Sequence, residues 1–575
     1  MGGTRKSSTF RIRIISAVVL CIGLILIGRL YQIQVVNSES FQEKASSQYV
    51  HTAKDVYSRG SIYFTTKDGE KVSAASITTG YVLALNPTLL TDTEAVYTKL
   101  APYLTITKEV FMERAKLPER TYVEIIPRLR DEDADIIESY DLDGVMLYRN
   151  HWRYYPGDSV AARTIGFVGF TDNSDSQLLG KYGLERYYDE VLKRDNTVLS
   201  VNFFAEIFSN LGTLVFDSTE SKTGDVVTTI EPTVARMLDR ELQKAQDEFK
   251  SQLTGGIIMN PKTGAIYAMN VAPTFNLNDR GTAGIAEFEN PLVEGVYEMG
   301  SIIKALTMAA GLDSKVVTPN STYYDAGFLD LNTYTIKNFD GKGRGTVNMQ
   351  AVLNQSLNTG VSHIVKLMGR EKFRGYFSAL QLGSESGIDL PSEERGLVDN
   401  LNSPRDVEYA TASFGQGIAM TPIATARALA ALGNGGYMVT PHVAARIEYQ
   451  DGTSKEITYP QGAQVWSNET SETVSRMLAT VVDEALRGGS VALPHHSVAA
   501  KTGTAQIANP NGGGYYEDKY LHSFFGYFPA YDPQFLVFLY TVEPKGVKYA
   551  SETLTTPFMD ITKFLINYYN IPPDR

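Results

Sequence analysis

Residues 14–28 are fifteen uncharged and mostly apolar positions, preceded by Arg5, Lys6, Arg11 and Arg13 and closed by Arg29. Such a run must cross a bilayer, be cleaved as a leader, or be buried in protein. Fifteen residues are short for about 30 Å of hydrocarbon. Arg11, Arg13 and Arg29 can keep their charged tips at the interfaces while their stems stay in lipid, and Phe10, Ile12, Tyr31 and Ile33 lengthen the span. The basic cluster keeps residues 1–9 cytoplasmic and puts everything after about residue 35 outside. The sequence therefore predicts a single-pass anchor over 10–33, a cell-membrane location and an extracytoplasmic remainder. A cleaved signal peptide shares the charged start and apolar core, but Gly-Arg-Leu-Tyr-Gln-Ile-Gln supplies no small-x-small cleavage site. A buried globular helix is the third reading.

The chain of 575 residues exceeds what one hydrophobic core organises, so at least two domains follow the anchor. A hydrophobic fraction of 43% and an aromatic fraction of 11% are ample for folded cores. A formal net charge of -12, with no basic patch interleaved with aromatics, argues against a nucleic-acid partner. The single cysteine, Cys21, excludes an intrachain disulfide and a zinc site built on several thiolates. The seven histidines make no HExxH or related spacing, so neither metal nor other cofactor is expected.

Residues 37–220 read as a mixed, β-containing module. SIYF, ITTGYVLAL and RTYVEIIPRL are strand-like, TEAVYTKLAPYL is helix-like, and residues 131–143 read as acidic helix surface. A second domain is expected over 225–575. It begins with a helix over 232–249, apolar at Val234, Met237, Leu238, Leu242 and Ala245. The strands GGIIMN and GAIYAMN follow, joined by a PKTG turn. After a helix-rich middle come strands around HSVAAKTGT, SFFGYFPA and FLVFLYTV and an amphipathic helix near 557–569. This order predicts a sheet built from residues 255–270 and the C-terminal strands, with helices on both faces.

Three short stretches carry chemistry. In EMGSIIKALTMAAGL, Gly300 permits a tight approach, and Ser301 at a helix start shares a face with Lys304 one turn later. A serine hydroxyl becomes a nucleophile once a base takes its proton. A lysine serves as that base when burial or neighbouring positive charge lowers its pKa. In QSLNTG, Ser356 and Asn358 put a hydroxyl and a carboxamide on one turn, fit for a proton shuttle and a substrate amide. In AAKTGTAQI, Lys501 offers positive charge, Thr502 and Thr504 offer hydroxyls, and Gly503 lets a substrate lie close. Backbone N–H groups of Ser301 and Thr504 form a candidate oxyanion hole. Read singly, each stretch also describes ordinary structure: an N-cap serine with a snorkelling lysine, a capped loop, a strand end. Lys-Thr-Gly recurs at Lys222 and Lys262.

Together and in this order, Ser301-x-x-Lys304, Ser356-x-Asn358 and Lys501-Thr502-Gly503 resemble the active-site signature of penicillin-binding transpeptidases and serine β-lactamases. FGQG at 414–417, MTP at 420–422, NGGYMVTPH at 434–442 and GAIYAMNVAPTFNLN at 264–278 resemble the same transpeptidases. SRGSIY at 58–63, YYPGDSVAARTIGFVG at 154–169 and GKYGLERYYDEVL at 180–192 resemble the pedestal of monofunctional, class B penicillin-binding proteins, and the segment after Lys501 resembles their septal cell-division branch. The chain departs from the pattern in three places. Met299 precedes Gly300 where proline is common, Phe64-Thr65 replace an Asp-Arg pair, and Glu231 stands for an aspartate.

The resemblance implies an α/β (α+β type) penicillin-binding fold behind a pedestal and an anchor. It implies a peptidoglycan D,D-transpeptidase that acylates Ser301 with a D-alanyl-D-alanine stem and transfers the acyl group to an amine. Lys304 would be the base and Ser356 the proton relay. Asn358, Lys501, Thr502, Gly503 and Thr504 would bind the donor. Implied partners are stem peptides, β-lactams, and membrane division or elongation proteins including a separate glycosyltransferase. The alternatives are a D,D-carboxypeptidase or β-lactamase-like hydrolase, and a non-catalytic β-lactam-binding scaffold or sensor.

Overall fold

The run FLVFLYTV forms strand Phe535–Val542, and all eight residues are buried. A strand without a polar face must lie inside a sheet covered on both sides. It does, with strands Tyr515–Phe528 and Leu253–Met259 as its antiparallel neighbours. The full order of this five-stranded sheet is Ala499–Ala508, Tyr515–Phe528, Phe535–Val542, Leu253–Met259, Ile266–Ala272. Early and C-terminal strands thus make one sheet, as the pattern predicts. The computed structural model describes residues 59–117, 120–170, 178–194, 223–281, 284–331 and 334–575. The anchor expected over 10–33 lies outside them, and among the described residues no helix is long and apolar enough to cross a membrane.

Alternation along Tyr515–Phe528 shows how the two faces are covered. Phe524 stacks on Phe558 of helix Thr555–Tyr568, with ring centroids 4.4 Å apart. On the opposite face the Ser523 hydroxyl donates to Met299 O (2.7 Å), and the Tyr527 hydroxyl lies 2.8 Å from Ser475 Oγ on helix Asn468–Thr480. The amphipathic helix Pro232–Phe249 buries Val234, Met237, Leu238, Leu242 and Ala245. Pro232 opens it, and Glu231 caps it by accepting from Val234 N. The other carboxylate oxygen of Glu231 accepts from Tyr568 OH (3.0 Å) and so joins the start and end of the C-terminal half.

The sheet of the N-terminal half does not stop at residue 220. Its order is Ser454–Glu456, Ala444–Tyr449, Gly224–Thr228, Ile62–Thr65, Lys71–Leu85, Val123–Leu129, with Val145–Tyr154 also paired to Lys71–Leu85. Three of these strands come from beyond residue 220. One continuous core accordingly holds Ile62 and Phe64 together with Val226, Ile257 and Phe538, while a smaller cluster around Leu83, Phe111 and Ile125 fills the outer end of the pedestal.

The pedestal stretches singled out in the sequence meet around one buried carboxylate. Glu185, fully buried, receives Arg59 Nε on one oxygen and Arg153 Nε on the other, each at 2.6 Å. Tyr155 OH adds a hydrogen bond of 3.3 Å, and Arg59 also reaches Asp189 at 2.8 Å. Charges taken out of water this completely are tolerated only while all partners remain. Glu185→Ala should therefore cost roughly 3–5 kcal/mol, the usual penalty for stranding buried partners, read as an earlier urea midpoint. An unchanged midpoint would show that the cluster does not hold the pedestal together.

Candidate active site

Ser301 lies in a single 3-10 turn, Gly300–Ile302, that leads into the apolar helix Ile303–Asp313, so the α-helix begins two residues after the start expected from sequence. Two contacts fix the turn. Gly300 N donates to Gly415 O of the FGQG stretch (3.1 Å), and Met299 O accepts from Ser523. Gly300 has φ +63°, and a side chain there would press on Thr504 O at 2.8 Å, so only glycine brings this turn against the Lys-Thr-Gly strand.

Lys304 is 1% exposed. Its Nζ donates to Ser356 O (2.6 Å) and Ser356 Oγ (3.1 Å), and the Phe414 ring lies 6.0 Å away. The carbonyl reaches the amine because Ser356 adopts φ +54° between helices Met349–Asn354 and Asn358–Met368. A non-glycine residue in this region is uncommon and costs free energy. Burial drives the Lys304 pKa well below its ordinary value, and the charge of Lys501 pushes the same way. A neutral amine has two N–H donors and one lone pair. Both donors have acceptors at Ser356, which leaves the lone pair for a hydroxyl proton.

Strand Ala499–Ala508 is the edge of the five-stranded sheet and carries the third stretch. Gly503 pairs with Ser523 and packs under the Ser301 turn. A Cβ there would meet Ser523 Oγ at 2.3 Å and Met299 O at 2.7 Å. Lys501 is 3% exposed, donates to Thr502 O (3.1 Å), and is lowered by burial to about 8. It is therefore still largely a cation at neutral pH. Thr504 Oγ1 accepts from Ala550 N (3.1 Å) and keeps its own proton to donate. Asn358 Nδ2 donates one N–H to Lys337 O (2.9 Å), so its carboxamide oxygen and its second N–H are left for a ligand.

Ser301, Ser356, Asn358, Lys501, Thr502 and Thr504 all line one cleft of about 910 Å³. Lys304 sits behind its wall, reached through Ser356, and Gly503 serves as the contact between strand and turn. The other Lys-Thr-Gly copy among the described residues, at Lys262, forms a turn capped by Asn260 Oδ1 away from the cleft. Among the described residues no group of three or more His, Cys, Asp or Glu side chains is arranged to hold a metal ion.

Residues 254–563 match the penicillin-binding protein transpeptidase domain, and residues 55–255 match the penicillin-binding protein dimerisation domain. The chain belongs to the penicillin-binding protein transpeptidase family. Stage V sporulation protein D of Bacillus subtilis is 32% identical over 440 residues, 75% of this chain and 66% of that protein, just under two thirds of its length. Peptidoglycan D,D-transpeptidase FtsI of Escherichia coli is 25% identical over 577 residues, 98% and 93% of the two chains. Among solved structures, penicillin-binding protein 2X of Streptococcus thermophilus superposes with a TM-score of 0.68 at 21% identity, covering 88% of this chain and 79% of the other. Penicillin-binding protein 3 of Mycobacterium tuberculosis, solved with aztreonam, gives 0.65 at 25% identity, covering 74% and 92%.

In this penicillin-binding protein, sequence reasoning missed Glu298. Its Oε1 accepts from Gly417 N and from Tyr515 OH, both at 3.0 Å, tying the tip of the 499–528 hairpin to the FGQG loop three residues before Ser301. The only hint was its place in EMGSIIK. Ser523 was likewise invisible, one serine in a long apolar strand. Its fit against Gly503 makes a test: Gly503→Ala should push the strand off the nucleophile turn and slow acylation by roughly 100-fold, the typical cost of a 1 Å misplacement. Stopped-flow acylation at an unchanged rate would show that the close approach is dispensable.

Proposed function

We propose that this penicillin-binding protein is a peptidoglycan D,D-transpeptidase that works through an ester on Ser301. The observation that carries the reading is the buried Lys304, its donors held by Ser356 and its pKa driven far down, one turn from a serine in a cleft edged by Lys501, Thr502 and Thr504. The C-terminal carboxylate of a D-alanyl-D-alanine stem binds Lys501, Thr502 and Thr504, and Asn358 orients the peptide through its carboxamide oxygen. Ser301 Oγ attacks the penultimate carbonyl carbon while its proton passes to Lys304 Nζ. Backbone N–H groups of Ser301 and Thr504 steady the oxyanion. The C–N bond then breaks, and Ser356 relays the proton from Lys304 to the departing amine of D-alanine. An amine of a neighbouring stem attacks the ester, loses its proton to Lys304, and frees Ser301. β-Lactams imitate the donor and acylate the same oxygen, in line with the solved relative that holds aztreonam.

The wider assignments follow from the same reading. Residues 10–33 anchor the chain in the membrane, residues 37–220 form the pedestal, and residues 225–575 form the catalytic domain outside the cell. Likeness to a division transpeptidase over 98% of the chain supports a septal role. Partners would then be membrane division proteins and a separate glycosyltransferase.

Ser301→Ala should abolish labelling by a fluorescent penicillin, and Lys304→Ala should slow it by about 10²–10⁴-fold, the range of general-base catalysis. Peptide mapping of the modified residue checks both, and full labelling of a folded Ser301→Ala protein would sink the assignment. The pH profile has a definite shape. Attack needs Lys304 unprotonated, so the rate rises as pH climbs through a pKa held well below the ordinary lysine value. Donor binding needs Lys501 protonated, so the rate falls above about pH 8. Acylation still climbing towards pH 10 would contradict the neutral-lysine base.

A further inference from the structure

The charges around the cleft run against those of the whole protein. The chain carries a formal net charge of -12, yet Lys337, Arg344, Arg487, Lys501 and Lys548 line the cleft, and no described Asp or Glu does. Two of the five are accounted for: Lys501 faces the donor's terminal carboxylate in the reading above, and Arg344 is paired with Asp340 at 2.8 Å. The other three have no ion-pair partner among the described residues. Arg487 is held at the rim by neutral acceptors, Ser551 O (3.3 and 3.1 Å) and Thr556 Oγ1 (3.3 Å), on a backbone with φ +48°. Lys548 Nζ sits over the Tyr549 ring at 5.7 Å. Lys337 ends the strand Tyr334–Lys337, with its carbonyl tied to Asn358.

Isolated surface cations are usually solvated and contribute little. Here three residues with cationic side chains and no ion-pair partner among the described residues, from three separate segments, line one cleft whose described lining holds no acidic residue. Charge of one sign in a cleft focuses the field and selects a ligand of the opposite sign. A stem bound only through its C-terminus would leave this field unused.

We propose that the cleft selects stem peptides carrying a free carboxylate on a side branch, in addition to the C-terminal one, held at the rim by Lys337, Arg487 and Lys548. It discriminates against the same stem with that carboxylate amidated. This inference rests on the transpeptidase reading and names its substrate class.

The test compares two synthetic peptides ending in D-alanyl-D-alanine, identical except that one bears a side-branch carboxylate and the other its primary amide. The full chain in detergent is assayed for D-alanine release. At low salt the carboxylate peptide should show about 10-fold higher kcat/KM, the low end of electrostatic focusing, and the ratio should fall as salt is raised. Lys337→Gln, Arg487→Gln and Lys548→Gln should each move the ratio towards one. Because the readout is a ratio on one active protein, a loss of folded material cannot mimic it. Equal rates for the two peptides, or a preference untouched by all three substitutions, would overturn the proposal. Penicillin labelling of Ser301 on the unsubstituted protein separates the cases: labelling without carboxylate preference defeats the rim alone, whereas failure to label defeats the acylation reading beneath it.

Discussion

A primary amine held out of water, with a backbone carbonyl and a hydroxyl as its acceptors, is the constraint around which the catalytic half is arranged. Burial pushes Lys304 towards its neutral form, because desolvation penalises the ammonium. Burial and the neighbouring charge of Lys501 set that condition. The left-handed turn at Ser356 aims a carbonyl at Nζ and so fixes the direction of the amine, and the Phe414 ring lies 6.0 Å away. The sheet makes the arrangement stable. Its edge strand is pressed against the Ser301 turn through Gly300, Gly503 and Ser523, so strand and turn are in direct contact.

The same fold links catalysis to the rest of the chain. Gly224–Thr228 pairs with Ile62–Thr65 on one side and Ala444–Tyr449 on the other, and Glu231 just beyond it caps helix Pro232–Phe249 and holds Tyr568. Substitution of the usual aspartate by Glu231 thus leaves a cap and adds reach to the C-terminal helix. Loss of the Asp-Arg pair after Tyr63 leaves Arg59 fully engaged with Glu185 and Asp189.

Much of this was readable from the residues. The 232–249 periodicity, Pro232 and the all-apolar FLVFLYTV gave the helix and the central strand, because local pattern and burial agree there. Ser301, Ser356 and Lys501 could be grouped only by the order of three short motifs, since each alone also fits common local structure. What stayed hidden depends on long-range packing. Nothing in QSLNTG announces that the Ser356 carbonyl, more than its hydroxyl, is the tighter partner of Lys304. Neither Glu298 with Tyr515 nor Arg59 with Glu185 leaves a periodic trace, as the partners lie more than a hundred residues apart. The cationic rim was masked by the acidic total, because net charge sums over a surface that the cleft does not resemble.

The protonation state of one side chain is what the account stands on. Lysine labelled with carbon-13 at Cε, followed by NMR across a pH titration of the folded protein and assigned with a Lys304→Arg variant, reports that state directly. The account expects one lysine signal that moves to the neutral-amine position well below the ordinary 10.5 and is missing from the variant. A Lys304 signal that stays at the ammonium position into alkaline solution would contradict it.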